Sequence, residues 1–147
     1  MSLQDLIARE PNAETLSLWI EKVPYAAYLG IKAEVSAKDI LFTLPKNKTL
    51  VGNPSLPALH GGVVGAFMEQ SAAFQLVAKM RTPALPKIIN FSLDYLRPVR
   101  LQDAYAQCTV TRQGKMIANV SIVVWQEDKD KPNATARAHF LISENNA

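Results

Sequence analysis

His60-Gly61-Gly62-Val63-Val64-Gly65-Ala66-Phe67-Met68-Glu69-Gln70-Ser71-Ala72-Ala73-Phe74-Gln75-Leu76-Val77-Ala78-Lys79-Met80 is the one long apolar segment of the chain. Wound at about 100° per residue, it places Glu69 on one face with Gly62, Gly65, Ala66, Ala73 and Leu76, while Val63, Phe67, Phe74 and Val77 fill the neighbouring face. No side is polar enough to face water, so the pattern predicts a helix buried all round. Glu69 then has no obvious solvent. An ionised carboxylate in such a place is costly unless something pairs with it or hydrogen-bonds to it, which makes Glu69 the residue whose presence most needs a reason.

Before this segment, residues 45 to 59 lose periodicity and contain Gly52, Asn53, Pro54, Ser55 and Pro57, which reads as a loop walling a site. Further upstream, Ile31–Val35 and Ile40–Leu44 flank Ser36-Ala37-Lys38-Asp39 as a hairpin, with Ile40, Phe42 and Leu44 pointing one way. Residues 2 to 10 and 12 to 23 read as two helical pieces separated by Pro11. Asn12 is the N-cap of the second, Glu14 lies in its first turn and Pro24 ends it. After the long helix, Thr82 to Pro86 is a rigid connector. Four strands then follow in antiparallel succession. Ile89, Phe91, Leu93 and Tyr95 point inward from the first, Ala104, Ala106, Cys108 and Val110 from the second, Ala118, Val120, Ile122 and Val124 from the third, and Ala136, Ala138, Phe140 and Ile142 from the last. One antiparallel sheet wrapped around one long helix, an α+β fold, satisfies this order.

The chain has 147 residues, 48% of them hydrophobic and 20% charged, which suits a globular domain with a real core. Residues 1–23 form an N-terminal helical extension and 24–147 the main domain. The net charge of +3 comes from scattered Lys and Arg, so no nucleic-acid partner is expected, although anionic small molecules are favoured. Cys108 is the single cysteine and the two histidines stand apart, so neither a disulfide within the chain nor a metal site is expected. No membrane span is expected in a helix carrying three glycines, a Glu and a Gln, and a cytoplasmic location is the default.

A loop, then His60-Gly61-Gly62 opening a helix, then an acidic residue nine positions after the His, resembles the hotdog-fold acyl-CoA thioesterases, the phenylacetate-degradation-type family in particular. Asp94-Tyr95-Leu96-Arg97-Pro98 and the turn Arg112-Gln113-Gly114-Lys115 are similar to that family's later strands. The resemblance covers roughly residues 24 to 143. It implies hydrolysis of acyl-CoA without a cofactor, with the Gly61 N–H polarising the thioester carbonyl and Glu69 acting as nucleophile or general base. It also implies a homodimer or a dimer of dimers with the site at the subunit interface, the acidic residue coming from the partner's helix. The family has an Asn six residues before the His; here that position is Pro54, and Asn53, seven before, is the candidate.

The remaining candidates have bland readings beside the chemical ones. Glu69 could pair across an interface, His60 could orient the loop or contact substrate, and Gly61 and Gly62 could serve close packing. Phe67, Met68 and Ser71 are candidate pocket lining; Arg97, Arg112 and Lys115 are candidate contacts for CoA phosphates. A hotdog protein that binds an acyl-CoA, an aromatic CoA or another apolar ligand without cleaving it is the alternative function.

Overall fold

The computed structural model describes all of the chain except residues 3, 4, 7, 8, 10, 11, 38, 81–84 and 143–147. More than half of the expected first helix, over residues 2 to 10, and most of the connector before Lys87 therefore lie outside the described residues.

Helix α1 (Ala13–Lys22) starts where its cap residues dictate. The Asn12 side chain accepts from the Thr15 N–H at 2.9 Å, and the Thr15 hydroxyl accepts from the Asn12 N–H at 2.8 Å. This reciprocal box satisfies two N–H groups that would otherwise lack partners. Pro24, expected only to end this helix, also begins another, α2 (Pro24–Leu29). Proline suits the first helical position because its fixed φ is helical and its missing N–H has no intrahelical partner there. Gly30, at φ 75°, closes α2 in the left-handed region. Leu16, Trp19, Ile20, Ala26 and Leu29 are buried as these two helices pack on the first strand and the long helix.

Strands β1 (Lys32–Ser36) and β2 (Asp39–Leu44) form the expected hairpin, with Ser36 opposite Asp39. The expected loop from residue 45 to 59 is more ordered than its sequence suggests. It holds a 3-10 turn (Lys48–Leu50) and a small antiparallel pair, β3 (Val51–Asn53) and β4 (Ala58–Leu59), whose strands are too short to carry a readable alternation. Helix α3 (Gly61–Met80) follows, and then β5 (Lys87–Tyr95), β6 (Ala104–Gln113), β7 (Ile117–Trp125) and β8 (Ala134–Leu141).

All six long strands join one antiparallel sheet in the order β1-β2-β6-β7-β8-β5. The four later strands are therefore not in simple succession. β5 pairs with β8 at the far edge, and the chain from Leu96 to Asp103 crosses the end of the sheet to enter β6 beside β2. Local alternation carries no information about which strand a neighbour will be. A second departure lies within β5. Its register slips between Ile88 and Asn90, so Ile88 opposes the buried Phe140, and Ile89, expected inward, is 52% exposed. A bulge of this kind inserts one residue and flips the alternation on one side of it.

The concave face of the sheet wraps α3 in the hotdog fold. Phe42, Phe67, Phe74, Phe140 and Met68 are fully buried between sheet and helix, each such side chain worth roughly 1.5–3 kcal/mol of transfer free energy. Cover of the long helix is most complete from Ser71 to Ala78, where every residue but Gln75 is buried. Toward its start, Gly62 is exposed, and Gly65, Ala66, Glu69 and Gln70 are half-buried. The expectation of complete burial fails there because β5 is the last strand of the sheet and none of the described strands extends past it.

Candidate active site

The site begins where the β4 strand turns into α3. His60 is held there by its backbone and its ring together. Its N–H donates to the Leu50 carbonyl at 2.9 Å, and its carbonyl accepts from Val63 and Val64. Its Nδ1 accepts from the Gly62 N–H at 2.9 Å, which is a side-chain cap on the helix start. The Gly61 N–H has no acceptor among the described residues. It is one of the four N–H groups that every helix leaves open, at the positive end of the helix dipole.

The glycines of this region are fixed by close approach. A Cβ on Gly61 would lie 3.1 Å from the Tyr95 hydroxyl oxygen, and one on Gly52 would lie 2.7 Å from the His60 Cα. Gly52 therefore lets β3 pass directly against the residue that caps α3. The Tyr95 hydroxyl donates to the Gly61 carbonyl at 2.7 Å, tying the end of the edge strand to the helix start. A hollow of about 290 Å³ opens at this junction, lined by Gly61, Val64, Tyr95, Leu96, Arg97 and the backbone around Ala58.

Several candidates gather here and others do not. Gly61 and Arg97 share the hollow, and the Arg97 guanidinium donates to the Pro132 carbonyl at 2.9 Å. Asn53 is exposed on β3 and its side-chain oxygen accepts from the Ser55 N–H at 3.0 Å, an Asx turn that shapes the 54–57 loop. Glu69 lies eight positions beyond Gly61 on the same helix, roughly 12 Å along its axis. It is half-buried and makes no hydrogen bond or ion pair among the described residues, so the carboxylate expected to lack solvent retains access to it in the single chain.

Phe67, Met68 and Ser71 are fully enclosed in the core, and the Ser71 hydroxyl donates to the Phe67 carbonyl at 2.7 Å. They line none of the described hollows. Arg112 and Lys115 line a separate hollow of about 300 Å³ at the β6–β7 turn. That turn is level with Lys87, and Tyr95 lies eight residues along β5, roughly 25 Å away.

Tyr95 and Arg100 hold the walls of the hollow beside Gly61 and its loop, and sequence reasoning singled out neither as a site residue. Arg100 donates to the Leu56 carbonyl at 2.8 Å and so pins the loop before the helix. Tyr95, expected inward, is instead 57% exposed, its hydroxyl lying over the helix start. Among the described residues no three His, Cys, Asp or Glu side chains stand close enough to hold one metal ion. No helix among them is long and apolar enough to cross a membrane.

Comparison with known proteins identifies the family and the fold. The family model described as the thioesterase superfamily matches residues 56–132. A protein of Chromobacterium violaceum of known structure is 39% identical, with 97% of each chain covered and a TM-score of 0.76. A thioesterase from Haemophilus influenzae shares the fold at 22% identity, with 94% of this chain and 95% of that one covered and a TM-score of 0.76. So does a mutant of a phenylacetic acid degradation protein from Thermus thermophilus, at 16% identity, 80% and 97% coverage and a TM-score of 0.67. Among curated protein sequences, none matches.

Proposed function

Since the chain belongs to the thioesterase superfamily, we propose that it hydrolyses acyl-CoA thioesters to the free acid and CoA. The observation that carries this reading is the unused Gly61 N–H at the start of a 20-residue helix, beside a hollow. A thioester carbonyl on that N–H gains a hydrogen bond that strengthens as the tetrahedral oxyanion forms. Donors of this kind contribute about 10²–10³ in rate. His60 takes the neighbouring Gly62 N–H, so its role is to fix the helix start and not to abstract a proton.

Glu69 supplies the second group, as nucleophile on the carbonyl carbon or as general base on water. One chain cannot bring its own Glu69 and Gly61 to the same carbonyl across roughly 12 Å of helix. Two copies can. β5 is an edge strand nine residues long, paired with β8 on one side and with no described strand on the other, and Tyr95 and Leu96 at its end are 57% and 52% exposed. Beside it the half-open stripe of Gly62, Gly65, Ala66 and Glu69 has small residues that permit a second α3 to approach. Pairing across this edge makes a homodimer whose sites each take Gly61 from one copy and Glu69 from the other. Asn53, Gly62 and Arg97 border the substrate in this arrangement, with Arg112 and Lys115 reserved for the CoA phosphates. The N-terminal segment, residues 1–23, is an extension on a hotdog domain of residues 24–147.

Thiol release from short, medium, long and aromatic acyl-CoAs, measured for wild type and Glu69→Ala, tests the reading. Turnover by wild type that falls at least a hundredfold in the variant is the expected result. No turnover of any substrate, with CoA still bound, makes the protein a binder and overturns hydrolysis.

A further inference from the structure

Exposed apolar side chains collect at one end of the sheet's outer face, where β6 turns into β7. Ala118, Val120, Ala138 and Phe140 point into the core, so Ile117, Asn119, His139 and Leu141, which alternate with them, point outward. The ladder sets Ile117, Leu141 and Lys87 in one row across β7, β8 and β5. Met116, at the turn, and Ile89, at the bulge of β5, lie beside this row. Both are exposed, as is Ile117, and Leu141 is half-buried between them.

The charge around this apolar tract has one sign. Lys87, Arg112 and Lys115 are exposed at its border. Residues 87–92, 109–121 and 137–142, which build this end of the four strands, contain no Asp or Glu. The outer face keeps its carboxylates elsewhere, since Glu34 and Asp94 share a row with Gln107, Val123 and Thr135. Asp39, on the β1–β2 hairpin, shares its hollow with Lys79. Among the described residues none of Lys87, Arg112 and Lys115 is paired with a carboxylate. Exposed apolar tracts rimmed by polar groups mark contact surfaces, and each Lys or Arg beside an anionic bilayer raises affinity about fivefold.

We propose that this end of the outer face docks on an anionic phospholipid bilayer. Ile89, Met116 and Ile117 enter the headgroup boundary, and Lys87, Arg112 and Lys115 meet lipid phosphates. The hollow of about 300 Å³ at the turn, lined by Arg112, Lys115, Met116 and Ile117, accommodates one phosphate headgroup. The apolar tract lies on an outward-facing sheet end and not in a groove, which suits a bilayer better than a peptide, and it carries no aromatic ring on which a nucleobase could stack. No helix among the described residues is long and apolar enough to cross the bilayer, so the contact is peripheral. Edge pairing of β5 in the proposed homodimer uses backbone groups and puts both patches on one face of the joined sheet. CoA, whose phosphates are assigned above to Arg112 and Lys115, competes with lipid here, so the test contains none.

Flotation of the full chain with lipid vesicles tests the proposal. At low salt the protein is expected to float with vesicles of equal parts phosphatidylcholine and phosphatidylglycerol, and not with phosphatidylcholine alone. The double variant Lys87→Gln, Lys115→Gln is expected to bind roughly thirtyfold more weakly, and Met116→Ser at least about threefold more weakly, each melting within a few degrees of wild type. No flotation with the mixed vesicles overturns the proposal, as does equal flotation with both kinds or undiminished binding by the double variant. Retention on heparin as tight as on vesicles, unchanged in Met116→Ser, makes the surface a plain polyanion contact and overturns the lipid reading.

Discussion

The Tyr95 hydroxyl donates to the Gly61 carbonyl at 2.7 Å across 34 residues of sequence, so the edge strand β5 and the first residue of α3 move as one. This bond fixes the peptide that follows the open Gly61 N–H. Tyr95→Phe keeps the ring and removes only the donor. Because the side chain is more than half exposed, the stability cost is expected near the low end of a neutral hydrogen bond, about 0.5–1 kcal/mol. The functional cost is expected to be larger, a fall of roughly tenfold in kcat, since misplacement near a reacting carbonyl is amplified in rate. Denaturation midpoints and acyl-CoA kinetics on the same preparations check both. A variant with unchanged kcat would show that β5 does not position the helix start.

The composite site makes a prediction that no single-chain site shares. Glu69→Ala removes the acidic group, and Gly61→Pro removes the N–H at the first helical position, where proline's φ suits the helix although its Cβ, 3.1 Å from the exposed Tyr95 hydroxyl, pushes that side chain aside. Each variant alone is expected to lose at least a hundredfold in activity. Co-refolded in equal amounts, they should regain about a quarter of the wild-type sites, because half the dimers are mixed and each mixed dimer has one intact site under an isologous pairing. Recovery measured after separation of differently tagged heterodimers checks this. No recovery in a purified heterodimer would place both groups in one chain or in neither site.

Burial on the concave face of β6 pushes the Cys108 thiol above its usual range. The sign of the linkage follows. The folded state keeps its proton where the unfolded chain, near pKa 8.5, gives it up, so the thiol's contribution is fully present below pH 8.5 and is lost as pH rises above it. Wild type is expected to lose up to about 1.4 kcal/mol more than Cys108→Ala for each pH unit above 9. Urea titrations of both proteins at pH 7, 9 and 10 measure the difference. Parallel pH profiles would mean the thiol ionises freely in the folded protein.

Much of this molecule was legible because its signals are local. The α3 helix, the β1–β2 hairpin and the inward faces of β7 and β8 follow from periodicities within a dozen residues, and the Asn12 cap from residues three apart. What was not legible depends on partners distant in sequence. The seat of β5 beside β8 is set by pairings about 40 to 50 residues long, and the slip at Ile89 interrupts an alternation that reads as unbroken. At the site, His60-Gly61-Gly62 declared itself by motif. The Tyr95 tether and the close pass of Gly52 did not, since each exists only once β5 and β3 have reached the helix start. Glu69 was read as a carboxylate without water because the sequence shows an apolar helix, whereas exposure depends on where the sheet ends.

Ala37 sits in the left-handed region at φ 53°, the one positive-φ residue other than glycine among those described. The hairpin demands it. Ser36 pairs with Asp39, leaving two residues to reverse the chain, and two-residue turns of the favoured twist need positive φ. Alanine has neither glycine's freedom nor the local hydrogen bonds by which asparagine offsets the strain, which costs about 1–2 kcal/mol. Ala37→Gly is therefore expected to stabilise the protein by about 0.5–1 kcal/mol, the relief of strain exceeding glycine's larger entropy in the unfolded chain. Ala37→Asn should achieve a similar gain, and Ala37→Val should lose at least 1 kcal/mol. Midpoints of urea unfolding for the three variants order them directly. If Ala37→Gly were less stable than wild type, the turn would have to be of a type that holds Ala37 at negative φ.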